Sequence, residues 1–124
     1  MYELVVKSHF SAAHNLRDYD GACERLHGHN WHVEVFVRAA ALGTGGMVLD
    51  FRILKEEIEK VLETLDHQYL NDLPHFQKQE PSSENIARYI YDALEARLRP
   101  HKISPYKVTA WESEKAGASY LGAA

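Results

Sequence analysis

Residues 27–39 have the sequence HGHNWHVEVFVRA, and this stretch sets the fold of the chain. Its odd-numbered positions from 31 to 37 are apolar and alternate with mostly polar ones, a period of two that is typical of a strand with one buried face. A similar alternation runs through residues 2–14, whose even positions are mostly apolar. We therefore expect the two segments to pair as an antiparallel hairpin across a loop at 15–26.

Two amphipathic helices are predicted after the hairpin, because apolar side chains recur there at helical spacing. Asp50 is a suitable N-cap for the first helix, which ends before Asp66. Pro81 followed by Ser82 marks the start of the second helix, and Pro100 ends it.

Two further strands are predicted, at residues 106–113 and near 119–121. The element order is then ββααββ, an α+β fold in which a four-stranded antiparallel sheet carries two helices on one face. This order excludes a doubly wound nucleotide-binding fold.

Composition narrows the class of protein. The chain has 124 residues, 45% hydrophobic and 26% charged, which favours a single domain spanning residues 1–124. Fourteen basic against eighteen acidic residues give a net charge of -4 without a basic cluster, so nucleic-acid binding is disfavoured. No apolar run approaches the roughly 18 residues of a membrane span, and the start lacks the features of a signal peptide. With one cysteine, we expect a cytoplasmic protein without disulfides.

Eight histidines are the unusual feature of the composition. His27 and His29 lie two apart and share a strand face, and the hairpin brings His14 near them. Three neutral imidazoles that leave a fourth position open are the ligand pattern of catalytic zinc. An H-x-H pair is also met by chance at a strand start. The inward position of His14 favours the metal, because three buried imidazoles would otherwise lack partners.

Three further positions carry chemistry. Cys23 lies four residues before His27 in a polar loop, where it is either an inert small side chain or a thiolate base. Asp66 and His67 are adjacent, and a histidine oriented by a carboxylate is a common proton carrier in enzymes. The alternative for Asp66 is an ordinary residue at the end of the first helix or in the following loop. Glu112 continues an inward strand face and therefore needs donors, such as the adjacent N–H groups of a pterin or guanine. The alternative for Glu112 is a solvent-facing position near Lys115.

Six segments resemble the 6-pyruvoyl-tetrahydropterin synthase family. They are FSAAH at 10–14, CERLHGH at 23–29, LDF at 49–51, LDHQYLND at 65–72, PSSEN at 81–85 and WES at 111–113. The resemblance runs from about residue 10 to 120. Within the family, the chain looks most like the bacterial branch that makes 6-carboxy-5,6,7,8-tetrahydropterin for queuosine biosynthesis.

The resemblance implies a tunnelling fold (T-fold), in which three subunits join edge to edge into a trimeric barrel. Two such trimers would stack into a homohexamer, with the active sites at subunit interfaces. The resemblance also implies a zinc-dependent lyase that converts 7,8-dihydroneopterin triphosphate to 6-carboxy-5,6,7,8-tetrahydropterin, acetaldehyde and triphosphate. Carried over by position, the resemblance implies that Zn²⁺ is held by His14, His27 and His29. Cys23 would act as the proton-abstracting base, and Asp66 and His67 would form the proton relay. Glu112 would anchor the pterin ring.

Three alternative functions remain, two of them enzymatic and one a binding function. Glu24 stands beside Cys23, and some relatives use a glutamate in this loop to form a 6-hydroxymethyl pterin for folate synthesis. A 6-pyruvoyl-tetrahydropterin synthase would stop after elimination of triphosphate and internal redox transfer. A pterin- or purine-binding protein without catalysis would need neither Cys23 nor the pair Asp66 and His67.

Overall fold

The computed structural model describes residues 1–17 and 24–122. The strands of this part of the chain are β1 (Tyr2–His14), β2 (His27–Ala39), β3 (Gln68–Tyr69), β4 (Pro105–Trp111) and β5 (Gly117–Leu121), and its α-helices are α1 (Phe51–Glu63) and α2 (Ser83–Leu98). None of its helices is long and apolar enough to cross a bilayer.

The predicted hairpin has the predicted ends. β1 and β2 are antiparallel over their whole length, from Tyr2 opposite Ala39 to His14 opposite His27. The sheet order is β3-β1-β2-β4-β5. The α+β class is thereby confirmed, with both helices packed on the apolar side of the sheet, α1 against β1 and α2 against β4 and β5.

The prediction of four strands was wrong, because the sheet has five. β3 is only two residues long and runs parallel to β1, with Gln68 opposite Ala12 and Tyr69 opposite Ala13. So short a segment has no periodicity, and it forms because the chain leaving α1 returns along the edge of β1. β4 ends at Trp111 rather than 113, since the backbone N–H of Glu112 already donates to the Ala116 carbonyl in the following turn (3.0 Å).

Both helices begin as the capping residues predict. The Asp50 carboxylate accepts the Arg52 backbone N–H at 2.8 Å, and the Ser82 hydroxyl accepts that of Asn85 at 3.2 Å. Their apolar stripes cover a core in which Phe10 and Trp31 are stacked and almost fully buried. This packing makes the hairpin a rigid support for the side chains at its loop end.

Candidate functional site

Four side chains converge where β1 ends and β2 begins. His14, His27, His29 and Glu112 each offer one ligand atom, and these atoms all lie within 4.8 Å of one another. One carboxylate oxygen, Oε1 of Glu112, lies 2.8 Å from Nε2 of His29, 3.3 Å from that of His14 and 3.6 Å from that of His27. We call these four residues the histidine cluster.

Strand geometry builds the histidine cluster. His14 and His27 are opposite each other in the hairpin, and His29 lies two residues further along β2 on the same face. Glu112 directly follows β4, whose last residue pairs with His32 of β2. The carboxylate therefore reaches the cluster from the neighbouring strand of the same sheet.

Backbone carbonyls set the orientation of two imidazoles. Nδ1 of His14 lies 2.7 Å from the Pro81 carbonyl oxygen, and Nδ1 of His27 lies 2.7 Å from that of Arg25. A carbonyl oxygen only accepts, so each Nδ1 carries the hydrogen and each Nε2 keeps a lone pair. A supporting acceptor of this kind commonly fixes a metal-binding histidine. The two lone pairs consequently face the centre of the cluster.

Nε2 of His29 is a buried nitrogen without a hydrogen-bond partner among the described residues. Its 2.8 Å approach to Glu112 is close enough for an ion pair but does not give Nε2 a well-formed hydrogen bond. Burial is the main reason that the pKa of His29 lies below its ordinary value, while the Glu112 carboxylate opposes that shift. Burial thus favours the neutral imidazole of His29, and a cation held by the cluster would give Nε2 the partner that it lacks among the described residues. Three imidazole nitrogens and a carboxylate oxygen suit Zn²⁺ or a related divalent ion.

Asp66 and His67 form a pair beside β1. Nδ1 of His67 lies 3.0 Å from a carboxylate oxygen of Asp66, whose other oxygen accepts the Ser11 backbone N–H at 2.9 Å. That hydrogen bond is the main cause that holds the pKa of Asp66 below its usual range. The backbone N–H of His67 in turn donates to the Ser11 carbonyl at 2.6 Å.

The imidazole of His67 is exposed, and its backbone has a φ of 58°, in the left-handed region. This conformation is uncommon outside glycine and turns the chain from α1 into β3. His67 lines an open groove of about 510 Å³ that His29 also lines, together with Gly28 and Asn30. One residue of the pair, His67, and one of the histidine cluster, His29, thus line the same groove.

Cys23 lies outside the described residues. Its neighbour Glu24 closes the base of the loop: the Glu24 N–H donates to the Leu16 carbonyl at 2.8 Å, and the Glu24 carboxylate accepts the Leu16 N–H at 3.1 Å. The same carboxylate oxygen lies 3.9 Å from Nδ1 of His27. Glu24 therefore stands between the loop and the histidine cluster.

Sequence reasoning missed part of the site. Glu112 was expected only against a ligand or near Lys115, whereas its carboxylate contacts all three histidines. The contact of the Pro81 carbonyl with His14 could not be predicted from a motif, because every residue has a backbone carbonyl and its role as an acceptor leaves no pattern in the sequence. Four histidines outside the site, His9, His32, His75 and His101, are exposed.

Comparisons with known proteins agree over nearly the whole chain. The 6-pyruvoyl tetrahydropterin synthase family matches residues 3–123. A 6-carboxy-5,6,7,8-tetrahydropterin synthase of Synechocystis sp. is 39% identical over 100 residues, covering 77% of this chain and 76% of the relative. The dihydroneopterin monophosphate aldolase of Pyrococcus furiosus is 31% identical over 114 residues, covering 92% of each chain.

A solved structure of similar shape is that of Caenorhabditis elegans 6-pyruvoyl tetrahydropterin synthase. It has a TM-score of 0.85 at 30% sequence identity and covers 98% of this chain and 96% of its own. The subunit fold of T-fold proteins, which the sequence motifs imply, is thereby confirmed. Motifs, fold and relatives agree, and the chain belongs to the 6-pyruvoyl tetrahydropterin synthase family.

Proposed function

We propose that this chain is a zinc-dependent lyase that converts 7,8-dihydroneopterin triphosphate, with uptake of water, to 6-carboxy-5,6,7,8-tetrahydropterin, acetaldehyde and triphosphate, in queuosine biosynthesis. The observation that carries the proposal is the convergence of three Nε2 atoms on one point, two of them with lone pairs directed inward by backbone carbonyls. The name of the Synechocystis relative supports the carboxy product.

His14, His27 and His29 are the proposed zinc ligands. When bound, the ion would supply Lewis acidity toward the side-chain oxygens of the substrate, which makes neighbouring C–H groups more acidic. The partial exposure of the His27 and His29 side chains, 32% and 26%, supports access of a substrate to this site, whereas His14 is buried.

Proton transfer is assigned to three residues. We propose that the Cys23 thiolate abstracts a carbon-bound proton and that His67 carries protons under the influence of Asp66. With Nδ1 of His67 held by the Asp66 carboxylate, Nε2 remains available for exchange with a ligand. The exposure of this imidazole on the groove wall supports the role.

Glu112 is the proposed pterin anchor. Its two carboxylate oxygens match the paired N–H donors on one edge of a pterin, a bidentate and charge-assisted arrangement. The 33% exposure of the Glu112 side chain, next to the three histidines, supports this role. Glu112 thus joins substrate recognition to the metal centre.

We further propose a homohexamer, built from two trimeric barrels, with active sites between subunits. β3 covers only Ala12 and Ala13 of β1, so residues 2–11 of this strand edge have no strand partner among the described residues. β5 ends the sheet on the other side. Exposed edges of this length favour pairing with another chain. Light scattering of the purified protein tests the subunit number, and a monomeric mass would contradict it.

The decisive experiment is to incubate the zinc-loaded protein with 7,8-dihydroneopterin triphosphate, without nicotinamide or reductant, and identify the pterin by mass spectrometry alongside an acetaldehyde assay. Carboxy-tetrahydropterin with acetaldehyde is expected. A pyruvoyl product would assign the sister activity, and tight pterin binding without conversion would assign a binding protein. Cys23→Ala should abolish turnover and retain zinc.

A second candidate activity is formation of a 6-hydroxymethyl pterin with Glu24 as the base. The Glu24 carboxylate lies 3.9 Å from Nδ1 of His27 and is therefore beside a proposed metal ligand, on the side of the imidazole away from Nε2. The aldolase relative from Pyrococcus furiosus is in keeping with such chemistry. Glu24→Gln preserves an acceptor for the Leu16 N–H but removes the base. Loss of a hydroxymethyl product in this variant, with the carboxy product retained, would assign separate bases to the two reactions.

A further inference from the structure

Asn71 is a buried polar residue without a role in the functions proposed above. It lies in the turn that follows β3, and only 8% of it is exposed. Its side-chain oxygen accepts the backbone N–H of Asn15 at 3.0 Å, and its side-chain nitrogen donates to the Asn15 carbonyl at 2.8 Å. One amide thus satisfies both backbone groups of a residue that directly follows His14.

This contact extends the sheet beyond the last strand pair. β3 pairs with Ala12 and Ala13 of β1, and the chain then turns away into the segment 70–72. In the register of β3 with β1, residue 71 would lie opposite Asn15, and the Asn71 amide replaces that backbone pairing. The end of β1 is consequently held at Asn15, although its strand neighbour has already ended.

A third hydrogen bond holds the side chain of the same residue. The Tyr69 hydroxyl donates to the side-chain oxygen of Asn15 at 2.5 Å. Ser11 also exchanges hydrogen bonds with Asp66 and His67, so the segment 66–71 is hydrogen-bonded along the last residues of β1. The position of the His14 backbone therefore depends on this segment.

The imidazole of His14 is held at its other side by the Pro81 carbonyl, at 2.7 Å from Nδ1. A rigid backbone at Asn15 and a fixed acceptor at Pro81 leave the imidazole one orientation, in which Nε2 meets the rest of the histidine cluster. A loose strand end would let Nε2 move away while the ring kept its acceptor. Catalytic geometry tolerates displacements of only about 0.5 Å.

We propose that Asn71 is a positioning residue for the metal centre: its amide fixes the end of β1 and so sets the place of His14 Nε2 relative to His27 and His29. The proposal rests on the assignment of these histidines as metal ligands. It also explains why Asp66, His67 and Asn71 lie on one short segment, since that segment aligns the proposed proton relay and a ligand of the metal on the same strand.

The test measures Zn²⁺ affinity by competition with a chromophoric chelator, and the ligand-field spectrum of the Co²⁺-substituted protein. In Asn71→Leu, which preserves side-chain volume, we expect zinc affinity to fall at least about tenfold, the range seen when a group supporting a ligand is lost. The visible Co²⁺ bands should shift or weaken, because one ligand is displaced.

Tyr91→Phe is the matched control. The Tyr91 hydroxyl is also buried and donates to a backbone carbonyl, that of Pro105, at 2.9 Å. Pro105 pairs with Val37, at the end of the hairpin far from the cluster. This variant should lower the midpoint of thermal unfolding without changing zinc affinity or the Co²⁺ spectrum.

Tyr69→Phe tests the proposal without disturbing the interior, since Tyr69 is 37% exposed. We expect a loss of zinc affinity of about twofold to threefold, smaller than for Asn71→Leu because only one of three hydrogen bonds to Asn15 is removed. Wild-type affinity and spectrum in both Asn71→Leu and Tyr69→Phe would overturn the proposal. Failure of the wild-type protein to bind zinc would instead contradict the proposed metal site.

Discussion

Nδ1 of His14 donates to the carbonyl oxygen of Pro81 at 2.7 Å, and this contact joins the end of β1 to the residue before the N-cap of α2. Proline has no N–H, but its carbonyl oxygen remains a full acceptor. The residue that precedes the helix thus orients a side chain of the sheet. In the neutral imidazole this contact places the hydrogen of His14 on Nδ1, and Nε2 then faces the Glu112 carboxylate oxygen at 3.3 Å.

We therefore predict that His14 and His27 are both Nδ1–H tautomers when neutral, because each Nδ1 faces a backbone carbonyl. Long-range ¹H–¹⁵N correlation spectra distinguish the two tautomers directly. The exposed His101 is expected to show the mixture typical of free imidazole and serves as the internal reference. A protonated Nε2 on His14 would contradict the inward-facing lone pair.

His27→Ala should lose far more metal affinity than Glu112→Gln. Removal of a direct ligand is expected to cost more than the about 100-fold that loss of a supporting group can cost. Glu112→Gln keeps all three imidazoles and should change zinc affinity less than tenfold while raising KM, because the paired acceptor for the pterin is lost. Chelator competition and steady-state kinetics measure the two effects. Equal zinc loss in both variants would make Glu112 a fourth ligand.

The contribution of Asp66 to the stability of the fold depends on pH. Its pKa is depressed in the folded protein, chiefly by the hydrogen bond from the Ser11 N–H, so folding stabilises the ionised carboxylate relative to the unfolded chain. The contribution is present above the ordinary carboxyl pKa and is lost as pH falls through the lower folded value. Thermal unfolding of wild type and Asp66→Asn should therefore differ near neutral pH and converge in acid. A difference that grows on acidification would have the wrong sign.

Gly28→Ala should fold normally. A methyl group there would lie 3.9 Å from the Ala12 carbonyl, an ordinary contact, so no steric requirement of this chain explains the glycine. Alanine should raise the free energy of unfolding by about 0.4–1 kcal/mol, because it restricts the unfolded chain.

The same methyl group would enter the groove that His67 and His29 line. We therefore expect Gly28→Ala to raise KM while zinc affinity stays at the wild-type level. Kinetics and chelator competition on one preparation separate the two. Unchanged KM would show that substrate does not approach the backbone at this point.

Much of the fold was predictable because it depends on local pattern. The period of two set the ends of β1 and β2 at the observed residues, and the capping side chains of Asp50 and Ser82 marked both helix starts. The convergence of the histidines followed from the same pattern, since residues on one face of a hairpin near its loop lie close together.

The remaining features arise from contacts between segments far apart in the chain. β3 is two residues long and forms only because β1 offers an open edge, and the contacts of Asn71 with Asn15 depend on that pairing. The carbonyl of Pro81 and the carboxylate of Glu112 reach the histidines only when β4 is paired with β2 and α2 is packed on the sheet. Local periodicity thus determines the strands, helices and positions of the candidate ligands. The orientation of each imidazole is decided by tertiary packing, because a hydrogen bond to a distant backbone atom has no counterpart in the sequence pattern.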